Sequence, residues 1–441
     1  MTARSTTTAL VMFGLTGDLG RKKLFPAIVE LARAGRLDGP VVGVGRSQLD
    51  DDELWQMLHD AVDDDVADLR DVLDLRYLRG DSQEPSTYDE LSKMLGNDVA
   101  PVVYAALPPV LFGGVARGIA DALPAATRLV VEKPFGHDVA SAVALHDEIT
   151  SLMPASQVFA VDHFLAKAEV EHLAPFRYRN PLIDAAFDQS SVDRIEVIMA
   201  EAFGVDGRGS FYESVGALRD VVQNHLLQMI AVVLMEAPAD DSAKAFDRAR
   251  ANLLADMRPL TPADVVLGQF DGYRDLDDVA DDSIVETFVA ARLAVDNTRW
   301  RGVPITLRTG KELADSVTSI EIHLGENTVR FGIKPERIVV LRLDVDGERT
   351  DLVACAPTGH PADEAGDHRG AKRGEVILGD YATMLAGAID GDQRHFAQIA
   401  DIVRAWEIVE GVLDSGARPE SYEPGSWGPP SARALLDESA S

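Results

Sequence analysis

The sequence predicts an α/β protein in which a doubly wound parallel sheet precedes an α+β domain with a large, mainly antiparallel sheet. Three observations support this prediction. Over the first 165 residues, short aliphatic runs alternate with helical patterns, as in parallel sheets covered by helices. A glycine-rich turn follows the opening run directly. From about Val192 onward, apolar residues recur at every second position, which is typical of antiparallel strands.

The composition limits the classes of function. With 441 residues the chain is long enough for two domains, which we place at 1–165 and 166–441. The net charge of −31 repels nucleic acid and anionic lipid, so neither is an expected partner. Because Cys355 is the one cysteine, disulfides within the chain and cysteine-rich zinc sites are excluded. We find no apolar run of signal-peptide or membrane-span length, and we expect a cytoplasmic protein.

The opening strand is followed by three evenly spaced glycines. Thr8 to Phe13 is a short apolar run that ends at Gly14, and Gly17 and Gly20 follow at intervals of three before a helical pattern. In this context, glycines let the backbone approach a pyrophosphate at the N-terminus of the helix. The spacing differs from G-x-G-x-x-G, so a plain tight turn is an open alternative.

The alternation of strands and helices continues through the first domain. The next predicted strands are 40–44, 75–78, 102–106, 128–131 and 158–161. The predicted helices are 50–62, 88–94, 110–122 and 139–152. Ligands bind at the carboxyl ends of the strands in such sheets, so the residues that follow each strand are candidates for a site.

The second predicted strand ends in Gly45-Arg46-Ser47, without a carboxylate. An acidic residue there would bind the ribose hydroxyls of NAD, whereas an arginine suits the 2′-phosphate of NADP. Arg46 therefore favours NADP as the cofactor, with NAD as a weaker alternative. The other interpretation is a surface arginine without a ligand.

Two further segments, 131–136 and 161–167, follow predicted strands. The first places Lys133 before a proline, which restricts the backbone beside the lysine. The second contains His163 and Lys167, which are four residues apart and project the same way in a helical turn. Two cationic donors on one face suit a phosphate dianion. Pairing with neighbouring surface carboxylates is the alternative.

Residues 216–235 read as one long helix that begins polar and becomes apolar. Its polar half contains Asp220, Asn224 and His225. A histidine beside apolar residues is more often a hydrogen-bonded core residue than a functional one, and this helix by itself does not decide between the two.

The second domain combines strands with helices. The predicted strands are 192–199, 284–295, 319–324, 328–333 and 337–345, and the predicted helices are 243–257, 381–389 and 396–412. Residues 356–373, rich in glycine, proline and aspartate, read as an exposed loop.

Taken together, these segments resemble the glucose-6-phosphate dehydrogenase family over nearly the whole chain. The motifs that carry the resemblance are GLTGDLGRKKLFP at 14–26, GRS at 45–47, YAALPP at 104–109, VEKPFGHD at 131–138, DHFLAK at 162–167, EAFGVDGRG at 201–209, RDVVQNHLLQ at 219–228, RTGK at 308–311 and YEPGSWGP at 422–429. The resemblance implies a Rossmann-type first domain. It also implies oxidation of glucose 6-phosphate to 6-phosphogluconolactone with hydride transfer to NADP, the entry step of the pentose phosphate pathway, by a homodimer or homotetramer without a metal.

The resemblance also implies roles for individual residues. The catalytic residues are His225 as general base, Asp162 as the carboxylate that orients it, and Lys133 near the nicotinamide. The substrate-binding residues are His163, Lys167, Glu201, Asp220, Lys311 and Lys133. The cofactor-binding residues are Gly14, Leu15, Thr16, Gly17, Asp18, Leu19, Lys23, Arg46, Tyr104 and Lys133.

The expected chemistry fits these roles. Oxidation of a cyclic hemiacetal removes a proton from the anomeric hydroxyl and hydride from the anomeric carbon. A neutral imidazole can accept the proton, and a carboxylate fixes its tautomer. Asp220 and His225, however, are five residues apart, about 140° round an ideal α-helix. One substrate contacts both only by lying across the helix, or if the helix is distorted.

Phe164, Ala166 and Ser316 depart from the family pattern. Tyrosine, glycine and, in some members, arginine are usual at these positions, so a raised Michaelis constant is expected. Two alternative functions remain: an NAD(P) sugar dehydrogenase of the glucose-fructose oxidoreductase class, which also carries a Glu-Lys-Pro motif, and a catalytically silent regulatory homologue.

Overall fold

The computed structural model describes residues 8–62, 66–96, 99–162, 164–166, 170, 175–205, 207–336, 338–355 and 378–437. The chain divides into two compact units. The first contains the described residues within 1–136, 140–167 and 359–400, and the second contains those within 137–139, 168–358 and 401–441.

The first unit is built on a seven-stranded sheet. Its strands are β1 (Leu10–Phe13), β2 (Val41–Gly45), β3 (Leu75–Arg79), β4 (Val102–Ala105), β5 (Arg128–Val131), β6 (Val158–Val161) and β15 (Phe396–Ala397). They lie in the order β15-β6-β5-β4-β1-β2-β3, and β1 to β6 are parallel. This order is that of dinucleotide-binding sheets, so the predicted doubly wound sheet is confirmed.

Helices cover this sheet because its strands are apolar on both faces. They are α1 (Phe25–Arg33), α2 (Asp51–Ala61), α3 (Pro85–Leu95), α4 (Phe112–Ala122), α5 (Val139–Leu152) and α10 (Asp380–Asp390). A π-helical segment, Gly20–Leu24, leads into α1. Buried residues of α1 and α10 share one apolar core with β1 and β2.

The predicted boundary between domains places everything after residue 165 in the second domain, and the structure corrects this. The strand β15 pairs antiparallel with β6, and the rings of Phe159 and Phe396 meet edge to face at 5.0 Å. Arg36 also forms an ion pair with Asp390 at 2.6 Å. Residues 396 and 397 are therefore strand, not the start of the predicted helix, because the buried Phe396 completes the first core.

The second unit is built on a nine-stranded sheet. Its strands are β7 (Arg194–Ala200), β8 (Val265–Phe270), β9 (Phe288–Leu293), β10 (Ile305–Gly310), β11 (Val317–Leu324), β12 (Asn327–Lys334), β13 (Ile338–Val345), β14 (Glu348–Cys355) and β16 (Glu420–Tyr422). They lie in the order β14-β13-β12-β11-β7-β10-β9-β8-β16. The sheet is mainly antiparallel, as predicted, but β7 and β10 form a parallel pair.

The helices of the second unit are α6 (Pro181–Ala186), α7 (Gly209–Ala217), α8 (Leu227–Leu234), α9 (Ala243–Asp256), α11 (Ile399–Leu413) and α12 (Pro430–Asp437). All residues of α8 are buried, as its apolar sequence predicts. The prediction of one helix from residue 216 is wrong at its start. Gly216 is not helical, with φ 67° and ψ 174°, and the next segment, Leu218–Leu226, is a π-helix.

Candidate active site

The glycine turn of the first unit lies where β1 and β4 meet. The chain leaves these neighbouring strands in opposite directions, which makes this the switch point at which nucleotides bind. Gly14 has φ +78°, and a Cβ there would lie 2.3 Å from the carbonyl oxygen of Ala106. A Cβ on Gly20 would lie 1.7 Å from the carbonyl oxygen of Leu15. Both positions therefore require glycine. The predicted cofactor residues of this turn are Gly14, Leu15, Thr16, Gly17, Asp18 and Leu19, and Lys23 is exposed just after it.

Arg46 is exposed immediately after β2, at the same carboxyl edge of the sheet. The Tyr77 hydroxyl donates to the carbonyl of Ser47 at 2.9 Å, which fixes the backbone beside the arginine. The nearest carboxylate further along the chain is Asp50, and it accepts the N–H of Glu53 in the capping box of α2. This carboxylate is committed to the helix, so the end of β2 presents a cation.

Lys133 follows a carboxylate that is fixed by two tyrosines. The hydroxyl of the fully buried Tyr104 donates to the Glu132 carboxylate, and Tyr381 forms a second hydrogen bond with it. Burial raises the pKa of Glu132, and burial followed by the Glu132 charge raises the pKa of Tyr104. The hydroxyl of Tyr104, an implied cofactor residue, is thus engaged inside the first unit.

Asp162 follows β6 and is buried, with 4% of its surface exposed. Its Oδ1 accepts the backbone N–H of Phe164 at 3.0 Å. Phe164 and Ala166, two of the departures from the family pattern, are also buried. The predicted phosphate pair, His163 and Lys167, lies outside the described residues.

The second unit brings Glu201 and Lys311 together, although they are more than a hundred positions apart in the sequence. The parallel pairing of β7 with β10 matches Ala200 to Gly310, so the next residue of each strand emerges at the same edge. The Lys311 ammonium lies 2.5 Å from a Glu201 carboxylate oxygen. The two implied sugar-binding residues therefore form an ion pair.

Aromatic rings surround this ion pair. The Lys311 Nζ lies 5.0 Å from the Phe203 ring centroid and 5.8 Å from that of Tyr212. Tyr212 is buried, and its pKa is well above the ordinary value because of burial, with the charges of Asp220, Glu286 and Glu201 adding to the effect. The side chain of Tyr212 thus lies among the carboxylates implied in sugar binding.

The π-helix sets the positions of Asp220 and His225 relative to each other. Hydrogen bonds in a π-helix join residues five apart, as between the Leu227 N–H and the Val222 carbonyl. Residues five apart therefore lie nearly above one another, instead of about 140° apart as in an α-helix. Asp220 and the buried His225 share one face of this helix, so the second of the two alternatives left by the sequence, a distorted helix, is the one observed. Such segments are frequent at functional sites.

Three other side chains support these residues through contacts that the sequence did not predict. The Asn224 side chain accepts the N–H of His225 and donates to the Arg219 carbonyl. The Ser316 hydroxyl accepts the N–H of Ala202, next to Glu201, at 2.9 Å. The buried Tyr422 donates to the Lys311 carbonyl at 2.6 Å. Tyr422 opens the 422–429 motif, so the motif was a signal, but its contact is tertiary.

In the part of the chain that the structure describes, no three His, Cys, Asp or Glu side chains form a group that could hold a metal ion. Among the same residues, no helix has both the length and the apolar character needed to cross a membrane.

Both parts of the chain match models of one protein family. Residues 11–172 match the model described as "Glucose-6-phosphate dehydrogenase, NAD binding domain". Residues 174–441 match the model described as "Glucose-6-phosphate dehydrogenase, C-terminal domain". The two matches together extend over almost the full length.

Individual relatives agree with this match. The chain is 39% identical to glucose-6-phosphate 1-dehydrogenase 1 of Mycobacterium tuberculosis, over 97% of this chain and 94% of the relative. It resembles a crystal structure of glucose-6-phosphate 1-dehydrogenase from Mycobacterium avium with TM-score 0.87 and 36% identity, covering 98% of this chain and 96% of the other. A glucose-6-phosphate dehydrogenase solved with its substrate glucose 6-phosphate gives TM-score 0.90 at 27% identity, covering 99% and 98%.

Proposed function

The chain belongs to the glucose-6-phosphate dehydrogenase family, and on that premise we propose that it oxidises D-glucose 6-phosphate to 6-phosphogluconolactone with hydride transfer to NADP. It is an oxidoreductase with a dinucleotide-binding domain. The alternatives of a sugar dehydrogenase for unphosphorylated substrates and of a silent homologue are not favoured, because the whole chain matches this enzyme family.

One observation carries the proposal: the π-helix presents Asp220 and His225 on one face, in the unit that also contains the Glu201–Lys311 ion pair. These groups are what a hemiacetal oxidation requires. The carboxylates accept hydrogen bonds from sugar hydroxyls, the ammonium donates one, and the imidazole accepts the anomeric proton.

We assign the general base to His225, and to Asp162 the role of the carboxylate that fixes its tautomer. A neutral imidazole is available near physiological pH, and a carboxylate partner steadies the imidazolium that forms. The anomeric carbon loses a hydride, and the hydroxyl on that carbon loses a proton. The carbon becomes a carbonyl, so the product is the lactone. NADP supplies the acceptor of the hydride.

NADP rather than NAD is our proposed cofactor. Arg46 at the carboxyl end of β2 suits a 2′-phosphate, and Asp50 caps α2 and so does not replace it as a ribose ligand. For the substrate phosphate we propose His163 and Lys167. A protein with net charge −31 repels a phosphate ester at long range, so a local pair of cations is needed.

We also propose a cytoplasmic homodimer or homotetramer. Val345, Leu352 and Val353, on β13 and β14, are between 48% and 63% exposed. Exposed apolar residues at the end of a sheet are typical of a surface that another chain covers. Light scattering of the purified protein measures this state, and a monomer at micromolar concentration contradicts the proposal.

The test of the proposed function is the increase in absorbance as NADPH forms. We expect turnover with glucose 6-phosphate and at most a small rate with unphosphorylated glucose. The variant His225→Asn should lose about 100- to 10,000-fold in kcat, which is the range for removal of a general base. Its control is His146→Asn. This half-buried histidine of α5 pairs with Asp147 in the first unit, and its replacement should leave kcat unchanged.

Three outcomes contradict the proposal in different ways. Wild-type protein without turnover supports the silent homologue. Equal rates with glucose and its phosphate support the alternative sugar dehydrogenase. An active His225→Asn variant removes the assignment of the base and leaves the reaction itself in place.

A further inference from the structure

The π-helix that carries Asp220 and His225 begins without a side-chain cap of its own. Its N-cap residue, Ala217, has no side chain that can accept a hydrogen bond. The first N–H groups of a helix have no partner within the helix and carry partial positive charge, so a buried start needs acceptors from elsewhere.

Glu286, which lies just before β9, supplies those acceptors. Its Oε1 accepts the N–H of Leu218, the first residue of the π-helix, at 2.8 Å. Its backbone carbonyl accepts the N–H of Ala217 at 2.9 Å. Only 8% of the surface of Glu286 is exposed. The carboxylate and the backbone carbonyl of one buried residue therefore cap this helix start from a distant part of the sequence.

Gly216 makes room for this carboxylate. A Cβ on Gly216 would lie 2.5 Å from Oε1 and 2.8 Å from the other carboxylate atoms of Glu286. The φ of +67° at Gly216 also interrupts the helical path near the end of α7, just before the π-helix. The absence of a side chain at position 216 therefore leaves the space that the Glu286 carboxylate occupies when it accepts the Leu218 N–H.

We propose that Glu286 is a positioning residue for the reaction: its carboxylate fixes the start of the π-helix and so aligns Asp220 and His225. The residue touches neither substrate nor cofactor in this proposal. The inference rests on the proposed function for its kinetic consequence, but the cap itself is testable without any substrate.

The substrate-free test is hydrogen–deuterium exchange of peptides that cover residues 216–226. In Glu286→Ala the amides near Leu218 lose their acceptor, and we expect faster exchange there. In Glu286→Gln the amide oxygen can still accept the Leu218 N–H, so exchange should stay near the wild-type rate. Exchange that is unchanged in Glu286→Ala overturns the cap.

The kinetic test uses glucose 6-phosphate and NADP. Misplacement of catalytic groups by about 1 Å can cost 100-fold, so Glu286→Ala should lower kcat about 10- to 100-fold. Glu286→Gln should restore kcat to within about threefold of wild type, since the hydrogen bond persists. The KM for NADP should not change in either variant. A merely structural role would lower thermal stability and leave kcat per folded enzyme unchanged.

Glu213→Ala is the matched control. The Glu213 carboxylate, on α7, accepts from the hydroxyls of Tyr273 at 2.8 Å and Ser283 at 2.6 Å. Its removal also deletes hydrogen bonds of a carboxylate in the same unit, but these do not involve the π-helix. We expect lower stability with unchanged kcat. A fall in kcat equal to that of Glu286→Ala would mean that loss of packing alone explains both.

Gly216→Ala tests the same contact by adding a side chain at the position that lies against the Glu286 carboxylate. The added methyl should displace the Glu286 carboxylate and reproduce the kinetic defect of Glu286→Ala. In a Glu286→Ala background it should then lower kcat little further. Gly302→Ala introduces a Cβ at a comparable φ of +85° with nothing within 4 Å, so it should affect stability only. Additive losses in the double variant contradict the proposed contact.

The proposed function and the proposed role of Glu286 can be contradicted independently of each other. If wild-type protein does not oxidise glucose 6-phosphate, the proposed function fails, whatever the exchange data show. If the wild type is active and Glu286→Ala retains wild-type kcat, the function stands and the role of Glu286 is wrong.

Discussion

The two units place functional side chains by different means. In the first unit, most of the predicted site residues that the structure describes follow β1, β2, β5 or β6 and so lie at one edge of a parallel sheet, whereas Tyr104 lies within β4. In the second unit the sheet is mainly antiparallel, and its strands end at both edges. There, the parallel pairing of β7 with β10 brings Glu201 and Lys311 together, and a π-helix brings Asp220 and His225 to one face.

The two units should therefore differ in the substitutions that they tolerate. The glycine turn of the first unit depends on close contact between backbone segments, because Gly14 and Gly20 lie against carbonyl oxygens. The second unit depends on side-chain partners, because Lys311 is fixed by Glu201 and by the hydroxyl of Tyr422. We therefore expect substitutions at the glycine turn and at Arg46 to affect the cofactor, and substitutions around Lys311 to affect the sugar phosphate.

The largest effect is expected for Gly20→Ala in the first unit. The new Cβ would overlap the carbonyl oxygen of Leu15, and a backbone atom cannot move aside cheaply. We expect a loss of about 3 kcal/mol or more in the free energy of unfolding. NADPH binding, measured by fluorescence titration, should be lost with it.

Gly35→Ala is the control for that change. Gly35 has φ +63° with nothing within 4 Å of a Cβ, so the substitution introduces backbone strain without overlap. The cost should be about 1–2 kcal/mol, with normal NADPH binding. Equal losses for the two variants would show that the glycine turn has no special requirement.

The next effect is expected for Lys311→Met in the second unit. The variant removes a charged donor beside Glu201 and keeps the aliphatic volume between Phe203 and Tyr212. Loss of one hydrogen bond to a charged group, about 1.5–3 kcal/mol, corresponds to about 10- to 100-fold in kcat/KM for glucose 6-phosphate. Steady-state kinetics measures it. The KM for NADP should stay constant, as should both constants in the exposed control Lys244→Met.

A smaller effect is expected for Arg46→Ala in the first unit. Removing the arginine after β2 should raise the KM for NADP about tenfold, the value of one charge-assisted contact to a phosphate. The KM for NAD should change far less. Arg36→Ala is the control. Arg36 precedes β2, whereas Arg46 follows it, and Arg36 pairs with Asp390. Equal losses with both cofactors would contradict the assignment to the 2′-phosphate.

The smallest effects are expected for a matched pair of tyrosines. Tyr422→Phe removes the hydroxyl that donates to the Lys311 carbonyl, and Tyr77→Phe removes the one that donates to the Ser47 carbonyl. Each should lower the free energy of unfolding by about 1 kcal/mol. Tyr422→Phe should raise the KM for glucose 6-phosphate, and Tyr77→Phe that for NADP. If Tyr422→Phe raised the KM for NADP and Tyr77→Phe that for glucose 6-phosphate, the proposed difference between the units would be wrong.

Local sequence signals were enough to predict the six parallel strands of the first sheet and the glycine turn after β1. Aliphatic runs of strand length, a glycine at each close approach and helical periods between them are local signals, and parallel strands bring whatever follows them to one edge. Residues 128–131, 139–152 and 158–161 were predicted with the bounds that the structure has. The motifs also indicated the family.

The arrangement of the site residues in the second unit depends on contacts between segments that are distant in the sequence. The Glu201–Lys311 pair depends on which strands are neighbours, and no local pattern encodes that choice. The same holds for the return of β15 to the first sheet, which moved residues 396 and 397 from a predicted helix to a strand. The π-helix has a sequence that suits an α-helix equally well. Its start is set by a glycine turn and a carboxylate from residue 286, and such contacts form only when distant segments pack together.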